Sequence, residues 1–503
     1  MFYLPRRSLA SLCLLVLVGC GAISALPPSG AEEGGSPVYD LVLRGGRVLD
    51  PETGLDAVRD VGIVGGRIEA VSRQRLSGAR VLDVSGRVVA PGFIDLHTHS
   101  PTPLGDAYQV RDGVTTALDL EAGAYPVSSY GRALAGRARM NYGASVGWAT
   151  VRGLVVGQAP EAASADPEAA LTALPPAAFL QPADAGERAR MRVFLERGLA
   201  AGGLGIGLPL DYFSAAVEAA ELDLVFGVAA RAGVPVFVHI RRGINGDPAG
   251  LIEVLELARE HGAALHVAHL SHSAMRATSG FLARIREARA QGVDVTTEVL
   301  PYNAGSAPIG SAVFGRDWRT IFGIDYADVE WAATGERFDE ARWRAARRDD
   351  PGGQVIHHYL KDDWTRAALA EPGVVVVSDL LPMVSEDRFV APHNGAFTRV
   401  LGRYAREAGV LSIPDAVARM TWLPARRLEA FAPAFARKGR VQVGADADLT
   451  VFDAARVRDR ATYRDPYQPP VGVETVIVGG EVVVDEGRLV PGVFPGRRVL
   501  ASP

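Results

Sequence analysis

The chain has 503 residues, room for one large domain with an appended module or for two or three ordinary domains. Its apolar fraction of 48% and charged fraction of 22% are those of a soluble globular protein with a full core. A net charge of -5 leaves no basic surface, which argues against nucleic acid as a partner.

The first stretch, "MFYLPRRSLASLCLLVLVGCGAIS", sets Arg6 and Arg7 before an apolar run from Leu9 to Val18. That run is short for a bilayer span and has the charge-then-apolar order of an export signal. Leu17-Val18-Gly19-Cys20 resembles a bacterial lipobox, in which the cysteine is lipidated and becomes the mature N-terminus. An ordinary signal peptide cut nearby is the alternative. On the lipobox reading residues 1–20 are a signal peptide and residues 21–37 a flexible tether. The folded part is then exported and held at the bacterial cell envelope by a membrane anchor on Cys20. Cys13 and Cys20 are the only cysteines, so nothing beyond them supports a disulfide or a thiolate metal site.

From residue 38 the pattern is β-rich. "VYDLVLRGGRVLD", "DVGIVGGRIEAVS" and "ARVLDVSGRVVAPG" alternate apolar and polar residues around Gly-Gly or Ser-Gly turns, as hairpins do. The same texture returns in "ADADLTVFD" and "GVETVIVGGEVVVDEGRLV". Residues 38–90 and 431–498 are therefore expected to form one small β-sandwich from both ends of the chain.

Between them, over residues 91–430, apolar runs alternate with amphipathic helical stretches. The runs are "GFIDLHTH", "GVTTALDLE", "NYGASVGWATV", "GGLGIGL", "VPVFVHI", "AALHVAHL", "GVDVTTEVLPY", "GGQVIHH" and "GVVVVSD". Continuous Val, Ile and Leu indicate strands buried on both faces, hence a parallel sheet with helices between. About eight such units point to a (β/α)8 TIM-like barrel, so one of the nine runs is surplus. A doubly wound open sheet is the alternative, weakened because no glycine-rich phosphate loop follows the first strand. Residues 158–190, rich in Ala and Pro, read as an insertion, either a lid or a surface excursion.

In such a barrel the chemistry gathers at the C-terminal ends of the strands. His97 and His99 end the first run on one face, because a strand repeats every two residues. Asp119 and Glu121 end the second, and His239, His269 and Asp379 end later ones. A lone strand-end histidine is more often structural than a ligand. Four histidines with acids at successive strand ends indicate a metal instead. Imidazoles and carboxylates without thiolates favour Zn²⁺, with Mn²⁺, Fe²⁺ and Co²⁺ also compatible, as one or two ions.

This constellation resembles the amidohydrolase superfamily, through "PGFIDLHTH", His239, His269, Asp379 in "SDLLP" and the returning β segment. Within it the chain is most similar to the N-acyl-D-amino-acid deacylases, in "VTTEVLPYNAGS", "FTRVLGRYAREAG" and the long phrase from Arg427 to Gly480. The resemblance implies that His97, His99, His239 and His269 are metal ligands and that Asp379 is a ligand or the general base. A carboxylated lysine often bridges two metals in the superfamily. Neither lysine here suits that place, since Lys361 follows the seventh strand and Lys438 lies beyond the barrel. D-aminoacylases use a cysteine just after "GVTT". Glu121 sits one residue from that place and is assigned as the bridging ligand, with Asp119 as the weaker candidate.

Three departures touch substrate recognition. "SHLK" becomes "AHLSHS", with Ser271 and His272 in place of the lysine; "VGHGT" becomes "VGWAT", with Trp148; and "HPR" becomes "HNGAFTR". The implied reaction is hydrolysis of a linear amide of an N-acyl-D-amino acid, with acidic ones such as N-acyl-D-glutamate left open by the lost lysine. Asp379 would take the proton of the attacking water and pass it to the departing amine. Arg241 in "HIRRG" is expected to pair with a substrate carboxylate, or else to be a rim arginine, and Tyr302 to hydrogen-bond the carbonyl or oxyanion. His357, His358 and His393 receive no role. Rival readings are another amidohydrolase, dihydroorotase-like or dipeptidase-like, and an inactive surface-binding lipoprotein.

Overall fold

A computed structural model describes residues 39–160, 174–389 and 391–502. The export segment, the tether, Cys20 and the middle of the 158–190 window lie outside the described residues.

The alternating strands at the two ends join in a single nine-stranded sheet. Eight of its strands follow the order Arg488–Leu489, Glu481–Asp485, Val473–Val478, Leu449–Phe452, Val88–Pro91, Tyr39–Asp50, Leu55–Val64 and Arg67–Ser72, and the ninth, Gly78–Asp83, pairs with Tyr39–Asp50 off this path. Strand Val88–Pro91 joins the N-terminal half to the C-terminal half through Leu449–Phe452. The inward faces of both halves share one core of Leu41, Val61, Ile63, Leu449 and Ile477. Of the first two expected hairpins the second is present, an antiparallel pair around Gly65-Gly66. The first is not: Tyr39–Asp50 runs through Gly45-Gly46 as a single bulged strand and pairs with Leu55–Val64 instead. The third is not a hairpin. Gly78–Asp83 and Val88–Pro91 lie one after the other along Tyr39–Asp50, both parallel to it. The local alternation was right, but the partner of each segment is set by the long strand.

The middle of the chain forms eight parallel strands in sequential neighbour order: Phe93–Asp95, Val114–Ala124, Asn141–Gly147, Ile206–Leu208, Val236–Val238, Leu265–Val267, Val295–Val299 and Val374–Val376. Each buried strand is flanked by helices such as Ala219–Ala232 and Ala249–His261. Both of those helices stop at a glycine in the left-handed region, Gly233 and Gly262, which turns the chain back without a Cβ penalty. The sheet closes: Asp379 N donates to His97 O at 2.7 Å and His99 N to Leu380 O at 2.8 Å. That closure excludes the doubly wound alternative.

The surplus run is "GGQVIHH". Strand Gln354–His357 sits between Gly305–Pro308 and Val329–Trp331 in a separate antiparallel sheet. This sheet belongs to an excursion between the seventh and eighth barrel strands, with its own core of Phe314, Trp318, Phe322, Phe338 and Trp343. Lys361 therefore follows the excursion, not a barrel strand. The end of the 158–190 window is ordinary barrel structure: helix Ala185–Ala200 starts there on a reciprocal cap between Asp184 and Glu187.

Candidate metal centre

The first barrel strand runs out into His97 and His99, and the hydrogen bonds that close the barrel hold the main chain of both. His97 Nδ1 meets Glu298 Oε1 at 2.6 Å, and His99 Nδ1 meets Asp119 Oδ2 at 3.1 Å. A carboxylate on Nδ1 makes that nitrogen the donor, so the lone pairs sit on Nε2. Those two Nε2 atoms face each other at 3.1 Å. Two opposed lone pairs need a positive charge between them.

Glu121 supplies the second half. Its Oε2 is 3.3 Å from both His97 Nε2 and His99 Nε2. Its Oε1 is 2.7 Å from His239 Nδ1 and 3.3 Å from His269 Nε2. Asp379 Oδ1 completes the first group, 3.3 Å from His97 Nε2 and 3.5 Å from His99 Nε2. Three sets of nitrogen and oxygen atoms thus converge within 4.8 Å: His97, His99 and Glu121; His97, His269 and Asp379; Glu121, His239 and His269. The donor set fits one or two divalent cations, with one oxygen of Glu121 turned to each histidine pair.

Electrostatics point the same way. Burial works against charge on His97, but Asp379, Glu298 and Glu121 outweigh it and hold the ring well above its ordinary pKa. Burial likewise opposes charge on His99, and Asp119, Asp379 and Glu121 overcome it. The cluster therefore attracts a cation, and protons and metal compete for the same lone pairs. His239 behaves differently. Burial, with Arg242 and His269 beside it, lowers its pKa to about 4, which keeps it a neutral donor. His269 and Asp379 both adopt left-handed backbone, φ +26° and +48°. Such strain in non-glycine residues gathers at functional sites.

The structure brings together all six residues expected as ligands. Asp119, the weaker candidate for the bridge, stands behind His99 instead, with its other oxygen accepting from Ala122 N and Gly123 N. Arg241 does not meet its expectation. Its guanidinium is spent on Glu253, Ser214 O and Val217 O, at 2.8 to 3.0 Å. Tyr302 stacks on the His393 ring at 4.8 Å with Arg399 4.7 Å over its own ring, and its buried Oη has no hydrogen-bond partner among the described residues. His393 itself, left without a role by sequence, touches Asp379 O at 2.9 Å. His357 packs among Phe314, Phe322 and Tyr359 of the excursion.

Sequence reasoning missed Glu298, which binds His97, His266 Nε2 at 2.9 Å and His269 N at 3.1 Å. The signal was present: an acid within "VTTEV", the buried seventh strand. It also missed Asp95, whose carboxyl accepts from His97 N, Ser378 N and Ser378 Oγ.

The family model for the amidohydrolase family matches residues 80–484. The chain belongs to the amidohydrolase family. Within it this amidohydrolase is D-aminoacylase-like. It is 33% identical to an N-acyl-D-glutamate deacylase of Alcaligenes xylosoxydans xylosoxydans, over 91% of this chain and 96% of that one. It is 30% identical to a D-aminoacylase of the same organism, over 93% and 98%. Among solved structures it is similar to the N-acyl-D-Glu deacylase of Bordetella bronchiseptica complexed with zinc and a phosphonate inhibitor, at 29% identity and a TM-score of 0.74. That match covers 92% of this chain and 100% of the other.

Proposed function

We propose that this amidohydrolase deacylates N-acyl-D-amino acids, hydrolysing their linear amide bond. The observation that carries the reading is Glu121, whose two oxygens each face a separate histidine pair. His97, His99, Glu121, His239, His269 and Asp379 would hold the metal, Zn²⁺ first among the divalent ions such a donor set suits. When bound, a divalent cation there lowers the pKa of a water and polarises the scissile carbonyl.

The chain's own residues do the rest. Glu298 and Asp119 fix the tautomers of His97 and His99. Asp379 is the most open member of the centre, its side chain 21% exposed against 6% for Glu121. Burial alone would raise its carboxyl, but the charge of His97 and a hydrogen bond from His99 keep it ionised. An ionised, accessible carboxylate takes the proton of the attacking water and delivers it to the departing amine. The similarity to an N-acyl-D-glutamate deacylase makes the acidic N-acyl-D-amino acids the first substrates to try.

The test joins metal content to activity on N-acyl-D-, N-acyl-L- and ring-amide substrates. The purified chain is expected to carry one to two divalent ions and to turn over the D series. Asp379→Asn should lower kcat by about 100- to 10,000-fold, the usual range for losing a proton acceptor, and Glu121→Ala should lose bound metal. No turnover of any N-acyl-D-amino acid would end the reading. Full activity in Asp379→Asn would end the role of Asp379.

A further inference from the structure

Beside the His239–His269 pair lies a charge imbalance that the centre does not use. Asp211, after the fourth barrel strand, is fully buried. One edge of its carboxylate is gripped by both terminal nitrogens of Arg316, which reaches in from the excursion. Arg242, after the fifth strand, donates its backbone N–H to Asp211 Oδ1 at 2.8 Å. Its guanidinium adds only a 3.3 Å contact from Nη1 to Oδ2. Two guanidinium groups on one carboxylate leave a surplus positive charge. That surplus falls on Arg242, whose side chain is 8% exposed. Its Nε has no hydrogen-bond partner among the described residues. A buried, under-satisfied cation is costly unless an anion completes it.

The surplus charge also faces the centre. Asp211 Oδ2, which Arg242 Nη1 touches, is 3.8 Å from His239 Nε2 on the metal side. The Arg242 guanidinium lies 5.8 Å from the Phe322 ring, which packs at 4.6 Å on Tyr359, itself 6.1 Å from the ring of His272, three residues beyond His269. His272 is buried, and neither of its ring nitrogens has a partner among the described residues. A charged fork and an orphan imidazole are thus linked through one aromatic pair, Phe322 and Tyr359, beside the centre. In an N-acyl amino acid the anion able to complete them is a carboxylate, which the guanidinium plane matches.

We propose that Arg242, with His272 beside it, binds a carboxylate of the substrate, and that Arg316 keeps Arg242 free for this by occupying Asp211. The proposal rests on the deacylase reading. The carboxylate is either the α-carboxylate or that of an acidic side chain, and the test separates the two.

The readout is the ratio of kcat/KM on N-acetyl-D-leucine to that on N-acetyl-D-leucinamide, which lacks the carboxylate. Arg242→Gln is expected to lower this ratio about 10- to 100-fold, the scale of one hydrogen-bonded charge, mainly through KM. Arg242→Lys, which keeps the charge without the fork, should fall between. If the leucine ratio holds while the preference for N-acetyl-D-glutamate over N-acetyl-D-glutamine collapses, the side-chain carboxylate is the one bound. A structural role through Asp211 and His239 would depress every substrate equally and leave both ratios unchanged. Unchanged ratios in both variants overturn the proposal. Loss of all turnover in the wild type would instead remove the deacylase reading and the proposal with it.

Discussion

Each metal-facing histidine of the first strand has a carboxylate behind it, and the two are of different kinds. Glu298 is buried and shared among His97, His266 and a main-chain N–H. Asp119 also accepts from Ala122 N and Gly123 N, so it orients His99 and holds the end of the second strand at once. Outer carboxylates of this kind raise ligand basicity and lock the tautomer. Asp119→Ala is therefore expected to weaken metal binding about 10- to 100-fold while leaving the saturating stoichiometry as it was. A chelator-competition titration reads the affinity. Reduced stoichiometry at saturation would make Asp119 a ligand and return the bridging question to the pair Asp119 and Glu121.

At the scale of elements, the excursion must be anchored if Arg316 is to reach Asp211. Part of that anchoring is Asp362, at the start of helix Asp362–Ala370, where the chain returns to the barrel. It accepts from Asn303 Nδ2 at 3.1 Å, Tyr404 Oη at 3.0 Å and Arg403 Nη2 at 3.0 Å, and from Arg366. Burial pushes this carboxyl up, but the hydrogen bonds from Arg366, Asn303 and Tyr404 and the charge of Arg403 win and hold it at about 2. An unfolded Asp titrates near about 3.9. The folded value is the lower, so the stabilisation is complete above about pH 4 and is lost as pH falls towards about 2. Urea unfolding at a series of acid pH values should show a shallower fall between about pH 4 and 2 for Asp362→Asn than for wild type. An identical acid limb would show that the ion pair contributes nothing.

Across the whole molecule, the sheet and the barrel are locked by one of the two lysines. Lys438 is buried, with its Nζ 2.6 Å from Asp448 Oδ2 and 3.0 Å from Asp446 Oδ2. Asp448 also accepts from Asn141 Nδ2 at 3.1 Å, from the third barrel strand, and from Gly479 N at 2.7 Å, at the turn after strand Val473–Val478. Three groups, from Asn141, Lys438 and Gly479, thus meet on one carboxylate. Removing the cation alone leaves that carboxylate buried and unpaired, which costs about 3–5 kcal/mol. Lys438→Met is expected to lose about that much, a large share of the roughly 5–15 kcal/mol typical of a folded domain. Thermal unfolding of the metal-loaded enzyme measures it. A midpoint unchanged from wild type would show that the junction is held by apolar packing alone.

Much of this was legible in the residues themselves, because period and parity are local properties. A buried strand writes itself as a continuous apolar run, and alternate residues at its end share a face. Hence eight of the nine runs are barrel strands, and His97, His99, His239, His269 and Asp379 lie together. Parity has limits, though. Asp119 and Glu121 lie on one strand with the same parity, and only the three-dimensional arrangement turns one to His99 and the other to the histidine pairs. Parity also lapses once the chain leaves the strand, so Arg241 and Arg242 could not be ordered by counting. The third hairpin and the surplus run "GGQVIHH" misled for a different reason. A strand's own pattern shows that it will pair but not with which partner, and in both cases a distant segment supplied the hydrogen bonds. The sequence by itself determined the barrel, the two-ended sheet and the set of metal-facing side chains, all consequences of local periodicity. Tertiary structure alone decided that Asp119 stands behind His99 and which arginine is left with a free charge, because both depend on long-range register.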